Sequence, residues 1–324
     1  MAGLISKAWN HIREHGVRST ACVGRDMLLK KTFRFWESMG VHVTPSHYYQ
    51  PIPDAKDLSA RRGSVWKASG MIGIDMNNEN QLKFAREVFP RYRDEYIKFA
   101  NDKGQKGSQY DFYFGNGAFE AVDAEVLYCM VRHFKPSRII EIGSGFSTLL
   151  FIKAIEANRE QERRESSLTV IDPYPPKVIK SDIPCLTNLI PREVQELDLD
   201  FFEQLESGDI LFIDSSHVVK IGGDVNYLYL DVLPRIKEGV IIHAHDIFLP
   251  SEYPERWVLS EHRFWTEQYL LQAFLTYSSA FEVLWGGSYM ATNYPQELKA
   301  TFPSYNEGIT QPGSFWMRKG FVQV

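Results

Sequence analysis

Two short stretches carry side chains that could do chemistry. "FIDSSH" (212–217) and "HAHD" (243–246) each close a run of Ile, Leu or Val that reads as a buried strand. Carboxylates and imidazoles are costly to bury alone, so a shared task is the simplest reason to place them there. Ionised Asp214 and Asp246 can accept hydrogen bonds or bind a cation, while His217, His243 and His245 can move a proton near neutral pH or ligate a metal. In an open α/β sheet, ligands sit at the carboxyl ends of the strands. Asp214 and the pair His245–Asp246 are therefore expected on one rim, with His217 three positions after Asp214. His243 shares a strand face with His245 and also reads as a hydrogen-bonded core histidine.

A third stretch, "EIGSGFSTLLF", follows another apolar run and opens a helical pattern. Gly143 and Gly145 allow a tight turn and close backbone approach to a ligand. The helix start that follows offers unpaired N–H groups to an anion. A dinucleotide fingerprint would carry a third glycine where Thr148 stands, which counts against a nicotinamide cofactor. The next apolar run ends in Asp172, placed to accept ribose hydroxyls.

The elements that must position these residues follow from periodicity. From Asp111 onward, β-branched runs at 138–143, 168–172, 192–197, 209–214 and 240–246 alternate with helical segments such as "AVDAEVLYCMVRHF" and "STLLFIKAIEANREQE". That alternation predicts an α/β fold, a Rossmann-like, doubly wound, mostly parallel sheet with helices on both faces. "FEVLWGG" and "SFWMRKG", joined by a long loop, are expected to add an antiparallel last strand and its neighbour. Residues 1–110 are mostly helical in pattern and form a helical N-terminal extension; residues 111–324 form the α/β domain. Within the extension, "HYYQPIPD" makes a stiff aromatic loop. It and "FGNGAF" (114–119), with Asn116 as a polar contact, are expected to wall an acceptor pocket.

Composition bounds the class. The chain has 324 residues, 44% apolar and 24% charged, as in an ordinary globular protein. Up to residue 110 there are 18 basic against 11 acidic residues, and beyond it 18 against 30. The basic residues are scattered, which argues against a nucleic-acid partner. No apolar run is long enough to span a membrane, and the first residues lack the apolar core of a signal peptide. The three widely spaced cysteines read as free thiols in a reducing compartment, so the expected location is cytoplasmic. Oligomeric state is not readable from the sequence.

"IIEIGSGFSTLL", "VIDPYP", "GDILFIDSSH" and "GVIIHAHDIF" together resemble the class I S-adenosylmethionine-dependent methyltransferases, in the branch labelled methyltransferase domain 24. The resemblance covers about residues 111–320. It implies S-adenosylmethionine as cofactor, with Glu141, Gly143, Ser144, Gly145 and Ser147 at its methionine part and Asp172 at its ribose. It places the adenine near Gln195 to Asp198. The rim residues are also similar to the metal-dependent catechol-type O-methyltransferases. That likeness implies a divalent ion on Asp214, His245 and Asp246, and a small hydroxylated acceptor. His217 and Asp214 would be the catalytic pair, with His217 as general base. His245 stands where that group has an oxygen ligand, which favours manganese, iron or zinc over magnesium. The same set approaches the two-His–one-carboxylate site of iron oxygenases, the alternative reading. A binding protein with a vestigial site is a third reading, and the intact glycine turn argues against it.

Overall fold

Seven short runs rich in Ile, Leu, Val and Phe form one sheet in the order β3-β2-β1-β4-β5-β7-β6. They are β1 (Arg138–Ile142), β2 (Ser167–Ile171), β3 (Leu186–Ile190), β4 (Ile210–Ile213), β5 (Ile241–Ala244), β6 (Phe281–Gly286) and β7 (Phe315–Lys319). β1 to β5 run parallel, and β7 inserts antiparallel between β5 and β6. This is the expected Rossmann-like α/β sheet with its antiparallel last strand. The computed structural model describes residues 21–99, 104, 108, 110–179 and 183–320.

β1, β4 and β5 are buried almost throughout, which is why they read as continuous apolar runs rather than alternations. Successive side chains leave opposite faces of the sheet. Ile139, Phe212 and Ile241 enter one core with helices α1 (Asp123–Phe134) and α2 (Phe146–Glu162). Ile140, Ile142, Leu211, Ile213 and Ile242 enter the other, which includes Leu271 and Leu275 of α3 (Glu267–Leu275).

Two expectations need correction. The third strand is not at 192–197 but at Leu186–Ile190, an edge strand half open to solvent. Pro191 cannot extend its ladder, and the Arg192–Glu196 pair at 3.1 Å closes a 3-10 turn over Val194–Glu196 instead. The segment between β6 and β7 is not only loop, since it holds helices at Gly287–Asn293 and Pro295–Thr301. The helical patterns around Pro90 and Pro234 are each broken into short pieces with a π-helical turn just upstream, at Phe84–Val88 and Tyr227–Val232. A proline supplies no N–H to the regular helical ladder.

The chain divides into two compact units, Met1–Val65 and Trp66–Val324. In the first, residues 21–38 are helical and Asp54 caps the helix Ala55–Ala60 through the N–H groups of Lys56 and Asp57. Tyr48 and Tyr49 of "HYYQPIPD" are 92% and 84% exposed. The division thus falls well before residue 110, because residues 66–99 build the α/β unit itself. Phe84, Phe89, Tyr96 and Phe99 lie in its core, the Tyr96 hydroxyl donates to the Thr301 carbonyl at 2.8 Å, and Trp66 Nε1 donates to the Tyr253 carbonyl at 2.9 Å.

The two glycines of the turn have different duties. Gly143 has φ +85°, and a Cβ there would stand 2.1 Å from the Asp214 carbonyl oxygen. A Cβ on Gly145 would meet nothing within 4 Å. Gly143→Ala is therefore expected to cost about 2 kcal/mol or more, a fall in Tm of roughly 5 °C, while Gly145→Ala leaves Tm near wild type. Thermal unfolding of the two variants checks this, and equal Tm values would sink the assignment.

Candidate functional site at the carboxyl rim of the sheet

Register sets the site. Ile171, Ile142, Ile213 and Ala244 lie side by side across β2, β1, β4 and β5. The next residue of each strand therefore falls in one row: Asp172, Gly143, Asp214 and His245. The ladder continues through that row, with Gly143 N donating to the Ile171 carbonyl, Asp214 N to Ile142 and His245 N to Ile213, all at 2.9–3.0 Å.

In the middle of the row, two imidazoles flank two carboxylates. His217 Nε2 lies 3.2 Å from Asp214 Oδ1 and 3.6 Å from Asp246 Oδ2. His245 Nδ1 lies 3.5 Å and 3.6 Å from the same two oxygens. Asp214, His217 and Asp246 each offer a ligand atom within 4.8 Å of the others'. Both histidines are buried, at 6% and 4% exposure, while Asp214 and Asp246 are partly open. His217 and Asp246 hold left-handed backbone, at φ +59° and +54°. Such conformations persist only where the surroundings over-determine them.

The outer nitrogens are also engaged. His217 Nδ1 stands 2.9 Å from Glu267 Oε2, and the other Glu267 oxygen accepts the Tyr229 hydroxyl at 2.9 Å. The carboxylate accepts, so Nδ1 carries the proton. His245 Nε2 faces Asp123 Oδ2 at 3.7 Å, and Asp123 accepts the N–H groups of Gly313 and Ser314. Phe119 packs on the His245 ring at 4.8 Å, and Trp265 on that of His217 at 4.4 Å.

These contacts set the charges. Burial alone would lower the His217 pKa, but hydrogen bonds to Asp214 and Glu267 outweigh it and push it up to about 10. His245 rises well above the usual range, because the charges of Asp246 and Asp214 exceed the cost of burial. Burial also works against Asp214, yet the His245 charge and both imidazole contacts hold its carboxyl below the usual range. Asp246 is raised, chiefly by burial. His243 differs from its neighbours. Burial, then the His245 charge, pushes its pKa well down. Its ring stacks on Phe212 at 3.9 Å and Nε2 meets Ser314 Oγ at 3.1 Å, the core-histidine reading of that residue.

Two cavities flank Asp214, and it lines both. One, of about 560 Å³, runs along the glycine turn past Gly143, Ser144, Asp172, Gln195 and Ser215. Asp172 braces this wall, accepting from Ser144 Oγ at 2.6 Å and from Tyr174 N at 2.7 Å. The buried Gln195 Oε1 and Ser215 Oγ have no partner among the described residues, so the cleft still offers hydrogen-bonding groups to an occupant. The other cavity, of about 590 Å³, is lined by Ala118, Asp123, His245, Asp246, Trp257 and Thr310, among others.

Not every expected site residue faces a cavity. Glu141 is fully buried on the α2 side of the sheet, accepting from Ser147 Oγ at 2.6 Å, and burial raises its pKa to about 8. Neither Glu141, Ser147 nor Gly145 lines the 560 Å³ cleft, whereas Gly143, Ser144, Asp172 and Gln195 do. Asn116 lines neither cavity, although Gly117 and Ala118 of the same stretch line the one of about 590 Å³. The Asn116 amide donates to the Tyr113 and Phe119 carbonyls and accepts Ala118 and Phe119 N–H groups, so it locks its own turn. Sequence alone does not single out Glu267, Asp123 or Ser215. Asp123 and Glu267 are acidic residues in the first turns of amphipathic helices, where dipole and capping explain an acid without any site.

Residues 140–247 match the family model of a methyltransferase domain (Methyltransf_24). An uncharacterised protein of Archaeoglobus fulgidus is 34% identical over 171 residues, which are 51% of this chain and 75% of that protein. Among solved structures, apo CmcI aligns at a TM-score of 0.37 and 14% identity over 71% of this chain and 84% of its own. CmcI with magnesium and S-adenosylmethionine aligns at 0.33 and 16% over 70% and 84%. TM-scores at this level carry no argument about the site. The matched domain runs from β1, through the glycine turn, to the rim of β5, on the expected mostly parallel sheet, and this chain belongs to the class I S-adenosylmethionine-dependent methyltransferases.

Proposed function

We propose that this protein transfers the methyl group of S-adenosylmethionine to a hydroxyl oxygen of a small molecule, with a divalent ion held between Asp214, Asp246 and the flanking imidazoles. The observation that carries the proposal is the place of Asp214, which stands in the wall of both cavities. A cofactor along the glycine turn and an acceptor beside Trp257 would meet there. The unpartnered Gln195 Oε1 and Ser215 Oγ and the carboxylate of Asp172 suit a polar nucleoside in the first cleft.

Methyl transfer is a direct displacement. The acceptor oxygen forms the new bond to carbon, the sulfonium takes back the S–CH₃ electron pair as a thioether, and the acceptor proton passes to solvent water. The chain contributes position and exclusion of water. A bound divalent ion would supply Lewis acidity that lowers the pKa of the acceptor hydroxyl. The expected general base, His217, has both nitrogens committed, Nδ1 to Glu267 and Nε2 to the carboxylates. A ligand role suits it better than a free base. A second reading rests on the same donors. Two imidazoles beside carboxylates also suit an oxygen-activating iron enzyme, and oxygen uptake by the Fe(II)-loaded protein would favour that reading over methyl transfer.

Asp172→Ala is expected to weaken S-adenosylhomocysteine binding by roughly 1–3 kcal/mol, as measured by calorimetry. Wild-type affinity in a folded variant would remove Asp172 from the cofactor site.

Turnover is followed as S-adenosylhomocysteine release with a panel of hydroxylated acceptors. It is expected to stop after chelation and return with a divalent ion. Asp214→Asn and Asp246→Asn should each lose metal and turnover together, by about 100-fold or more, since losing an outer-shell partner alone costs 10–100-fold. Full turnover by metal-free protein would refute the metal's part while leaving methyl transfer standing.

A further inference from the structure

One buried acid lies away from the rim and has no part in methyl transfer. We propose that the cavity walled by Glu125, Ser304 and the rings of Tyr96, Phe99 and Phe114 binds the ammonium end of a small alkylamine, with Glu125 as its anionic partner. None of these residues belongs to the metal or cofactor set, and binding there does not depend on methyl transfer.

Three observations carry it. The first is the state of the acid. Glu125 stands in the first turn of α1 at 2% exposure. Its Oε1 accepts the Ser304 hydroxyl, while its Oε2 is buried with no partner among the described residues. An acid in a first helical turn gains from the helix dipole, but an enclosed carboxylate oxygen without a donor is costly. Burial, and after it the charges of Asp123 and Glu120, push the Glu125 pKa up to about 7 against the Ser304 bond. A cation with an N–H at Oε2 would supply the missing donor and balance the charge.

The second observation is the space this acid lines, a cavity of about 320 Å³, the size of a small-molecule site. Tyr96, Phe99 and Phe114 line it as well. The Phe99 and Phe114 rings lie 6.1 Å apart, tilted by 44°. Tyr96 spends its hydroxyl on the Thr301 carbonyl, which leaves its ring to the cavity. Aromatic faces attract cations, and the apolar walls suit the alkyl part of an amine.

The third observation is the sign of the wall. Among the described residues that line the cavity there are two acids and no Lys, Arg or His. The other acid, Glu120, has its two oxygens taken by the N–H groups of Gly115 and Gly117 at 3.0 and 2.7 Å. One carboxylate oxygen is thus left to receive an N–H, which selects a primary or secondary ammonium over a quaternary one. Glu120 and Ala121 also line the 590 Å³ cavity beside Asp214. The amine is therefore either the far end of the acceptor or a separate small molecule, with the same ammonium in both cases.

The test reads binding rather than methylation. Full-length protein is titrated with n-butylammonium and followed by saturation-transfer NMR, beside tetramethylammonium and n-butanol. Saturable binding of n-butylammonium is expected, with the other two several-fold weaker. Glu125→Gln, which keeps the size and removes the charge, should weaken n-butylammonium by about 10-fold or more. Phe114→Leu, at a half-buried wall, should weaken it by about 2–5-fold and serves if Glu125→Gln does not fold. No saturable binding, equal binding of n-butanol, or wild-type affinity in both folded variants would overturn the proposal. Kinetics separate the two sources. If the site takes the acceptor's own amine, Glu125→Gln raises KM for amine-bearing acceptors and leaves amine-free ones unchanged. If it takes a separate amine, n-butylammonium still binds in the presence of saturating acceptor. Protein that binds n-butylammonium but transfers no methyl group would sink the proposed reaction and leave this site standing.

Discussion

The site depends on one constraint, the level register of β2, β1, β4 and β5. Because Ile171, Ile142, Ile213 and Ala244 stand abreast, the first residue past each strand is delivered to the same height. A slip of one residue in β4 would turn Asp214 onto the opposite face, the one that buries Leu211 and Ile213, and break the row. Two glycines keep the register compact. Gly143 leaves room for the Asp214 carbonyl, and a Cβ on Gly313 would come within 3.0 Å of the Asp246 Cα. Each carboxylate of the central pair thus has a glycine against its own backbone.

Such a row would be costly if its charges were left alone. The chain answers by layering opposite signs. Two imidazoles stand against Asp214 and Asp246, and behind each imidazole a further carboxylate faces the outer nitrogen, Glu267 in one case and Asp123 in the other. Two imidazolium protons carry the same charge as one divalent ion. Exchange of one for the other therefore leaves the buried charge unchanged, and the same scaffold suits both states.

The neighbouring His243 shows how close a ligand-type residue can be to the site without serving it. Two positions before His245 on the same strand, it lies under the sheet against Phe212 and Trp316 and bonds Ser314. Strand alternation gives it the same face as His245. Depth along the strand separates them, for only His245 stands past the last residue of β5. Glu141 follows the same logic. It ends in the core with Ser147 because it lies one residue inside β1, where even a carboxylate is enclosed by α2.

Local pattern alone determined the fold class, the glycine turn, the acidic end of β2 and the clustering of Asp214, His217, His245 and Asp246 at one rim. Buried parallel strands advertise themselves as apolar runs, and turn glycines mark strand ends, so each of these is written within a few adjacent residues. Tertiary structure decided the rest. It moved the third strand to Leu186–Ile190, whose half-exposed edge has no apolar run to show, and it drew residues 66–99 into the α/β unit. It also paired His217 with Glu267, 50 positions away, and set Asp123 and Ser314 behind His245 and His243. These partners meet only because helices pack across the sheet ends. No period or spacing in the chain marks an acid on a helix as the neighbour of one particular imidazole, and only the packed core selects it.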